Sequence, residues 1–287
     1  MPLSLRELAF IIMGSGTSAG VPVIGCDCDV CRSDDPRDRR TRSGAAVRFI
    51  DPLGKGRIIL IDTSPDLRAQ ALQHRLLRCD AILYTHNHVD HTFGLDDVRR
   101  FNALMRAPID LYADRHTMEA LQRVYRHIFE RDRNINDSFV ATLIPHLIDP
   151  ARPIDLHGLR FTPLELLHGR LPVLGYRIEA VDPLSAAAVL DFEHQPPPLP
   201  LAYCTDVSAI PPQTWPNLRG LRTLVLDMLR YRKHPTHLSV DEAVSIATNI
   251  GAERTFFVHM THDIRHAELD AALPDGMALA YDGLVIQ

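Results

Sequence analysis

The residues most able to do chemistry stand in two tight groups. The stretch THNHVDH, from Thr85 to His91, places His86, His88, Asp90 and His91 within six residues. Neutral imidazoles and a carboxylate are ligands that divalent zinc, manganese or iron accept. The group follows directly on the apolar run AILY. Alternate side chains of an extended segment point the same way, so His86 and His88 can converge on one ion. Asp90 and His91, beyond the turn of the chain, can reach a second. A solvated polar loop has no need of four metal-competent side chains at this spacing. The second group is GCDCDVC, which crowds Cys26, Cys28 and Cys31 together in a chain with five cysteines. An odd, clustered set does not make a disulfide framework and points to metal. Structural zinc takes four ligands, commonly three cysteines and a histidine. Cys79 and Cys204 stand in apolar contexts, LLRCDAIL and LAYCTD, and read as buried, inert thiols. The fourth ligand is therefore expected to be a histidine, with His262, three residues after His259, as the candidate.

Four side chains cannot complete two metal shells. Others stand where apolar runs end: His168 in LLHG, Asp206 in YCTD and His259 in FFVHMTHD. Each alone is an ordinary polar residue at a strand end, but three in succession after the HxHxDH run extend the ligand set. His234 and His237, in KHPTHLSVDEA, precede a helix start, where they either donate a proton or simply cap and solvate the helix. Arg37, Arg39, Arg40, Arg42, Arg99 and Arg100 are candidates to pair phosphates, against the alternative of a solvated charged face. The GSG of GSGTSAG lacks the spacing of either nucleotide fingerprint.

Positioning these residues requires strands that end together. LAFIIMG, AAVRFI, RIILID, DAILYTH, RFTPLELLHG, VLGYRIEA, LAYCTD, LRTLVLD and RTFFVHM read as strands, and MALAYDGLVI closes the chain with strand character. SPDLRAQALQHRLL, GLDDVRRFNALM, RHTMEALQRVYRHIFE, SVDEAVSIATNIG and RHAELDAAL read as helices. The proline run Pro196–Pro198, within residues 183–200, marks an exposed excursion or hairpin loop. No repeat and no linker divides the 287 residues, so a single α/β domain over 1–287 is expected. With 46% hydrophobic and 23% charged residues, the composition is that of a soluble globular enzyme. A net charge of -5 argues against sequence-independent nucleic-acid binding. No apolar run approaches a membrane span of about 18 residues. The start, MPLSLRELAFIIMGSG, reads as a first strand rather than a signal segment, so a cytoplasmic location is expected.

With these residues in view, the sequence resembles the metallo-β-lactamase superfamily. HxHxDH with His168, Asp206 and His259 matches the superfamily's hydrolase ligand pattern. The resemblance implies an αββα four-layer sandwich with a dinuclear metal site at one edge of its two sheets. It implies that His86, His88 and His168 hold one ion, that Asp90, His91 and His259 hold the other, and that Asp206 bridges them, which makes Asp90 part of the catalytic set. Asp62, in LIDTSPD, matches an aspartate that supports the histidine loop.

The stretch GSGTSAGVPVIGCDCDVC, with DPRDRRTRSG, THNHVDHTFGLDDVR and HMTHD, is similar to the PhnP group over nearly the whole chain. Its members are phosphoribosyl cyclic phosphate phosphodiesterases. This implies two catalytic divalent metals, zinc or manganese with iron as a third option, and one structural zinc on Cys26, Cys28, Cys31 and His262. It implies hydrolysis of a small cyclic phosphodiester, such as phosphoribosyl 1,2-cyclic phosphate, by hydroxide held between the two ions. His237 matches a histidine that acts as general acid in PhnP-like and RNase Z-like enzymes. The proline-rich segment is longer than this resemblance leads one to expect. The expected partner is a small phosphodiester substrate, without nucleic acid or membrane, and a homodimer is left open. Three rival readings remain. An RNase Z-like nuclease fits poorly with an acidic chain that has no long basic arm. A glyoxalase II-type thioester hydrolase shares HxHxDH but not the cysteine loop. A non-catalytic carrier like PqqB has a similar cysteine loop but a degenerate histidine cluster, whereas the cluster here is intact.

Overall fold

The computed structural model describes residues 5–130, 139–181 and 198–287. The proline-rich stretch, apart from its last few residues, lies outside them. Fourteen strands among the described residues form two sheets. The first contains β1 (Arg6–Gly14), β2 (Gly44–Ile50), β3 (Gly56–Ile61), β4 (Ala81–Leu83), β5 (Ile109–Ala113) and β6 (Leu143–Leu147). The second contains β7 (Ile154–Leu156), β8 (Leu159–His168), β9 (Leu171–Ala180), β10 (Leu201–Cys204), β11 (Thr223–Asp227), β12 (Arg254–Val258) and β13 (Met277–Leu279). The last strand, β14 (Val285–Ile286), returns to the first sheet and gives the order β14-β1-β2-β3-β4-β5-β6; the second runs β13-β12-β11-β10-β9-β8-β7.

Side-chain alternation builds the layers. Ile59 and Ile61 of β3 face the second sheet, while Ile58 and Leu60 face helices. In β11, Val225 points to the shared core, and Leu224 and Leu226 point outward. Strands buried on both faces read as near-continuous apolar runs, which is why RIILI and TLVL are so hydrophobic. Phe10, Phe161, Tyr176 and Tyr203 fill the space between the sheets. Helices Arg99–Met105 and Arg115–Val124 cover the first sheet, and Val240–Ile250 covers the second. The fold is therefore an αββα sandwich, as the resemblance implies.

Two elements read from the sequence are divided by long-range partners, and β5, β6 and β7 are strands that it did not single out. RHTMEALQRVYRHIFE is not one helix: it breaks at Tyr125, between Arg115–Val124 and Arg126–Phe129. The buried Tyr125 hydroxyl donates to the Thr92 carbonyl at 2.9 Å, and that tertiary bond outweighs the continuous helical pattern. MALAYDGLVI is not one strand: Met277–Leu279 pairs with β12 and Val285–Ile286 with β1, so the segment crosses from one sheet to the other. Asp282 lies in the crossing. It accepts from the Ser15 and Thr41 backbone N–H groups and from both hydroxyls, at 2.6–2.8 Å.

The carboxyl ends of β3, β4, β8, β10, β11 and β12 meet at one edge of the sandwich. β10, β11 and β12 are mutually parallel, as are β3 and β4. Among the described residues, no helix is long and apolar enough to cross a membrane.

Candidate metal centres

Three of the residues leaving those strand ends have left-handed backbone: Asp62 (φ 64°), Asp206 (φ 56°) and His259 (φ 68°). This conformation costs on the order of 1–3 kcal/mol for a residue with a Cβ. It turns each side chain sharply off its strand and into the gap between the sheets.

Asp206 lies at the centre, 2% exposed. Its two oxygens address different histidines. Oδ1 is 3.2 Å from His91 Nε2 and 3.4 Å from His259 Nε2. Oδ2 is 3.8 Å from His86 Nε2 and 4.0 Å from His168 Nε2. Asp90 Oδ2 lies 3.5 Å from His91 Nε2 and 3.8 Å from His259 Nε2. Ligand atoms of His86, His88, His168 and Asp206 cluster within 4.8 Å of one another, and so do those of Asp90, His91 and His259. The structure thus brings together all seven residues that the sequence selects, in the two sets the resemblance implies, with Asp206 between them. His88 is the exposed member.

The second ring nitrogens explain how the histidines are aimed. His91 Nδ1 donates to Asp62 Oδ2 at 2.8 Å. His168 Nδ1 donates to the Thr236 carbonyl at 2.7 Å. Thr85 Oγ1 donates to Asp62 Oδ2 at 2.8 Å and accepts from His86 Nδ1 at 2.9 Å. With Nδ1 carrying the proton in each, Nε2 presents a lone pair to the centre, the arrangement that holds metal-ligating histidines in place. The Nε2 atoms of His86, His91 and His259 are buried and have no hydrogen-bond partner. Buried polar nitrogens are rarely left so. Donors around a tetrahedral ion at about 2.0–2.1 Å stand roughly 3.3 Å apart. The observed separations suit such ions better than hydrogen bonds, so the residues present fit two divalent cations.

Electrostatics give the same picture. Burial pushes His86 well below the usual imidazole range, and His91 beside it adds to the effect. Burial opposes a charge on His91 too, but the Asp206 and Asp62 carboxylates outweigh it and hold His91 well above that range. Burial likewise opposes ionisation of Asp206, yet His259 and His91 hold it well below the carboxylate range.

His237 joins this centre. Its Nε2 is 4.0 Å from Asp206 Oδ2, its ring stacks on His259 at 4.6 Å, and its Nδ1 donates to Asp227 Oδ1 at 2.9 Å. The sequence reading missed Asp227. It closes the apolar strand LRTLVLD, which is the signal that selected Asp206 and His168. Asp227 Oδ2 also accepts from Leu238 N at 2.9 Å. A capping box between Ser239 and Glu242 fixes the following helix, Val240–Ile250, so His237 is clamped on both sides. His234 lies further out, its ring centre 5.4 Å from that of His237.

The cysteine loop comes back to the same part of the molecule. Cys26, Cys28 and Cys31 Sγ lie 3.2, 3.5 and 3.5 Å from His262 Nδ1. One imidazole nitrogen has a single lone pair or a single proton, so it cannot bond three thiols at once. A zinc ion with Zn–S about 2.3 Å would set S···N edges of roughly 3.5 Å, and this group fits one. Cys79 and Cys204 are buried away from it. Four of the six arginines named from the sequence are engaged with partners of their own. Arg37 pairs with Asp35, Arg42 with Asp66 and Arg99 with Asp96. Arg40 is a correction: it is buried, pairs with Asp38 at 3.0 Å, and donates to the carbonyls of Thr261 and Ile264 at 2.7 Å each. It holds the loop that carries His262 and cannot reach a substrate.

Fold and site together define a class of protein. The profile described as "Beta-lactamase superfamily domain" matches residues 57–260, and the chain belongs to that superfamily. Within it the chain belongs to the PhnP family: it is 39% identical to a crystal structure described as a new diphosphatase from that family, with a TM-score of 0.83, over 98% of this chain and 97% of the other. Zn(2+)-bound PqqB from Methylobacterium extorquens shares the fold, with 20% identity, a TM-score of 0.70 and coverage of 97% and 99%. An octanoyltransferase of Porphyromonas gingivalis is 34% identical over 278 residues, 96% of this chain and 50% of that protein. Coenzyme PQQ synthesis protein B of Methylobacterium nodulans is 35% identical over 124 residues, 39% of this chain and 38% of that protein. The chain spans about half the length, or less, of these curated relatives.

Proposed function

We propose that this chain is a metal-dependent phosphodiesterase that hydrolyses a small cyclic phosphodiester, such as phosphoribosyl 1,2-cyclic phosphate. The observation that carries the reading is Asp206, whose two carboxylate oxygens each face a separate set of histidines with unpartnered Nε2 atoms. In this reading His86, His88, His168 and Asp206 hold one divalent ion; Asp90, His91, His259 and Asp206 hold the other; and Cys26, Cys28, Cys31 and His262 hold a structural zinc. When bound, the two ions supply a strong nucleophile from water at neutral pH and neutralise phosphate charge. The chain's own contribution is orientation and proton delivery. Asp62 and Thr85 fix two imidazoles, and the Thr236 carbonyl fixes a third. His237, with its Nδ1–H on Asp227, presents Nε2 to the centre. Protonated there, it gives that proton to the leaving alkoxide, and the Asp227 carboxylate stabilises the imidazolium beforehand. The likeness to a diphosphatase of the PhnP family supports phosphate chemistry and places phosphoanhydrides beside cyclic diesters as substrates to compare.

The test pairs turnover with elemental analysis of the full chain. The proposal expects about three metal ions per chain, two of them catalytic and one structural. It expects faster hydrolysis of the cyclic sugar phosphate than of a linear dinucleoside diphosphate or an RNA. Preference for the diphosphate would move the substrate class to phosphoanhydrides. A single zinc per chain and no turnover of any phosphate ester would favour a PqqB-like carrier and overturn the enzyme reading.

A further inference from the structure

The outer face of the first sheet carries a second concave site, far from the metal centres. It is a groove of about 520 Å³ at the opposite end of β2 and β3. The register places it: Arg48 pairs with Ile58 and Ile50 with Gly56, whereas Ala45 pairs with Ile61, next to Asp62. The four residue steps of extended chain from Ile58 to Asp62 separate the two sites by roughly 13 Å.

The groove is rich in arginine in a chain whose net charge is -5. Arg57 and Arg78 form its inner wall, where they are neutralised: Arg57 pairs with Asp51 and Asp80, and Arg78 with Asp80, at 2.6–2.8 Å. Arg48 and Arg75 are exposed and also line the groove. Among the described residues their guanidinium groups have no ion pair and no hydrogen bond. Leu77, 70% exposed, supplies apolar surface.

Backbone geometry marks the same place. Glu7 (φ 51°) and Arg75 (φ 50°) both line the groove and both have left-handed backbone. Of the seven such non-glycine residues described, three stand at the metal centre and two stand here. Arg75 follows the helix Leu67–Gln73 and its cap His74, where glycine is the ordinary occupant. Glu7 sits in the irregularity of the β1–β2 register between Arg6 and Ala9. Keeping a charged side chain where glycine would be unstrained is accounted for if the side chain has work to do, and such strain gathers at functional sites.

We propose that this groove binds an organic phosphate monoester of mononucleotide size. Arg48 and Arg75 hold the phosphate in the forked geometry that guanidinium groups offer. The apolar body lies on Leu77, and Glu7 accepts from sugar hydroxyls. Isothermal titration of the metal-loaded full chain with adenosine 5′-monophosphate, adenosine and inorganic phosphate tests this. Saturable binding of the monophosphate is expected, with adenosine and inorganic phosphate each at least tenfold weaker. The double variant Arg48→Ala, Arg75→Gly keeps the backbone unstrained and should weaken binding at least tenfold while leaving phosphodiester turnover unchanged. His88→Ala, an exposed change in the metal centre, should leave the binding intact. No saturable binding overturns the proposal. So does binding that survives the arginine changes but is lost in His88→Ala, which would place the ligand in the metal centre. Inorganic phosphate binding as tightly as the nucleotide would also overturn it, since the apolar wall would then play no part.

Discussion

His237 and Asp227 form a pair in which each atom has one job. The carboxylate fixes which ring nitrogen bears the resting proton, and the other nitrogen is left for the substrate. A proton donor matters in proportion to how poor the leaving group is. His237→Ala should therefore lose on the order of 10²–10⁴-fold in turnover of a sugar cyclic phosphate. It should lose far less on an aryl diester with a nitrophenolate leaving group. Metal content measured in the same preparations separates this role from ligation, because Asp206, His237 and His259 also stand close enough to share an ion. Equal losses on both substrates with metals retained would reduce His237 to a positioning residue. His86, His168, Asp206 and His259 were legible in the sequence because each closes an apolar run, and a run of that kind ends at the edge of a sheet; His88, Asp90 and His91 were legible by their spacing. Asp227 obeys the same rule, but its partner His237 stands ten residues further along the chain and the pairing is not written in local pattern. Arg40 could not be read at all. Its partners are carbonyls more than 220 residues away, and a buried arginine looks in sequence like any member of a charged run.

The HxHxDH segment is held against the neighbouring strand exit by its backbone. Thr63 N donates to the His91 carbonyl and Gly94 N to the Thr63 carbonyl, each at 2.8 Å. Gly94 is required for this approach: a Cβ there would lie 2.1 Å from Ser64 O and 2.9 Å from Leu67 Cβ. Gly94→Ala should destabilise the fold by about 1–3 kcal/mol, the usual cost of forcing atoms into packed space. Because the displaced segment carries His91 and Asp90, it should also weaken metal retention. Urea melts and metal analysis of the variant check both. Most elements were visible as periodic runs with their stops; the Gly251 cap after Val240–Ile250 is one, at φ 68°. The two divided elements failed for a common reason. A hydroxyl reaching Thr92 broke one helix, and a choice between two sheets split one strand, and neither long-range partner is written in local periodicity.

At the scale of the whole molecule, the cysteine site joins sequence positions 231–236 residues apart. Its thiols are unequal. The Cys31 N–H, ahead of the opposing effect of burial, brings Cys28 down to about 7, while burial pushes Cys31 up to about 11. At pH 7 Cys31 therefore carries its proton, and zinc must displace it. At least one proton per zinc should be released from these thiols, and zinc affinity should fall as pH falls. Titrations in two buffers of different ionisation enthalpy read the proton count directly; no release would contradict a thiolate site. Cys28→Ser should lose about one zinc per chain and lower the melting temperature, because a structural zinc contributes folding energy. Unchanged metal and melting temperature would remove the site.

Asp206 and His259 leave the second sheet while His86, Asp90 and His91 leave the first, and His262 follows His259 on the same loop. Ions bound at these places are cross-links between halves of the chain that are far apart in sequence. Anything that binds only the folded state adds to its stability in proportion to the logarithm of its free concentration. Under the proposed metal binding, the lifetime of this protein becomes a readout of metal supply, and a metal-starved cell would hold less of it.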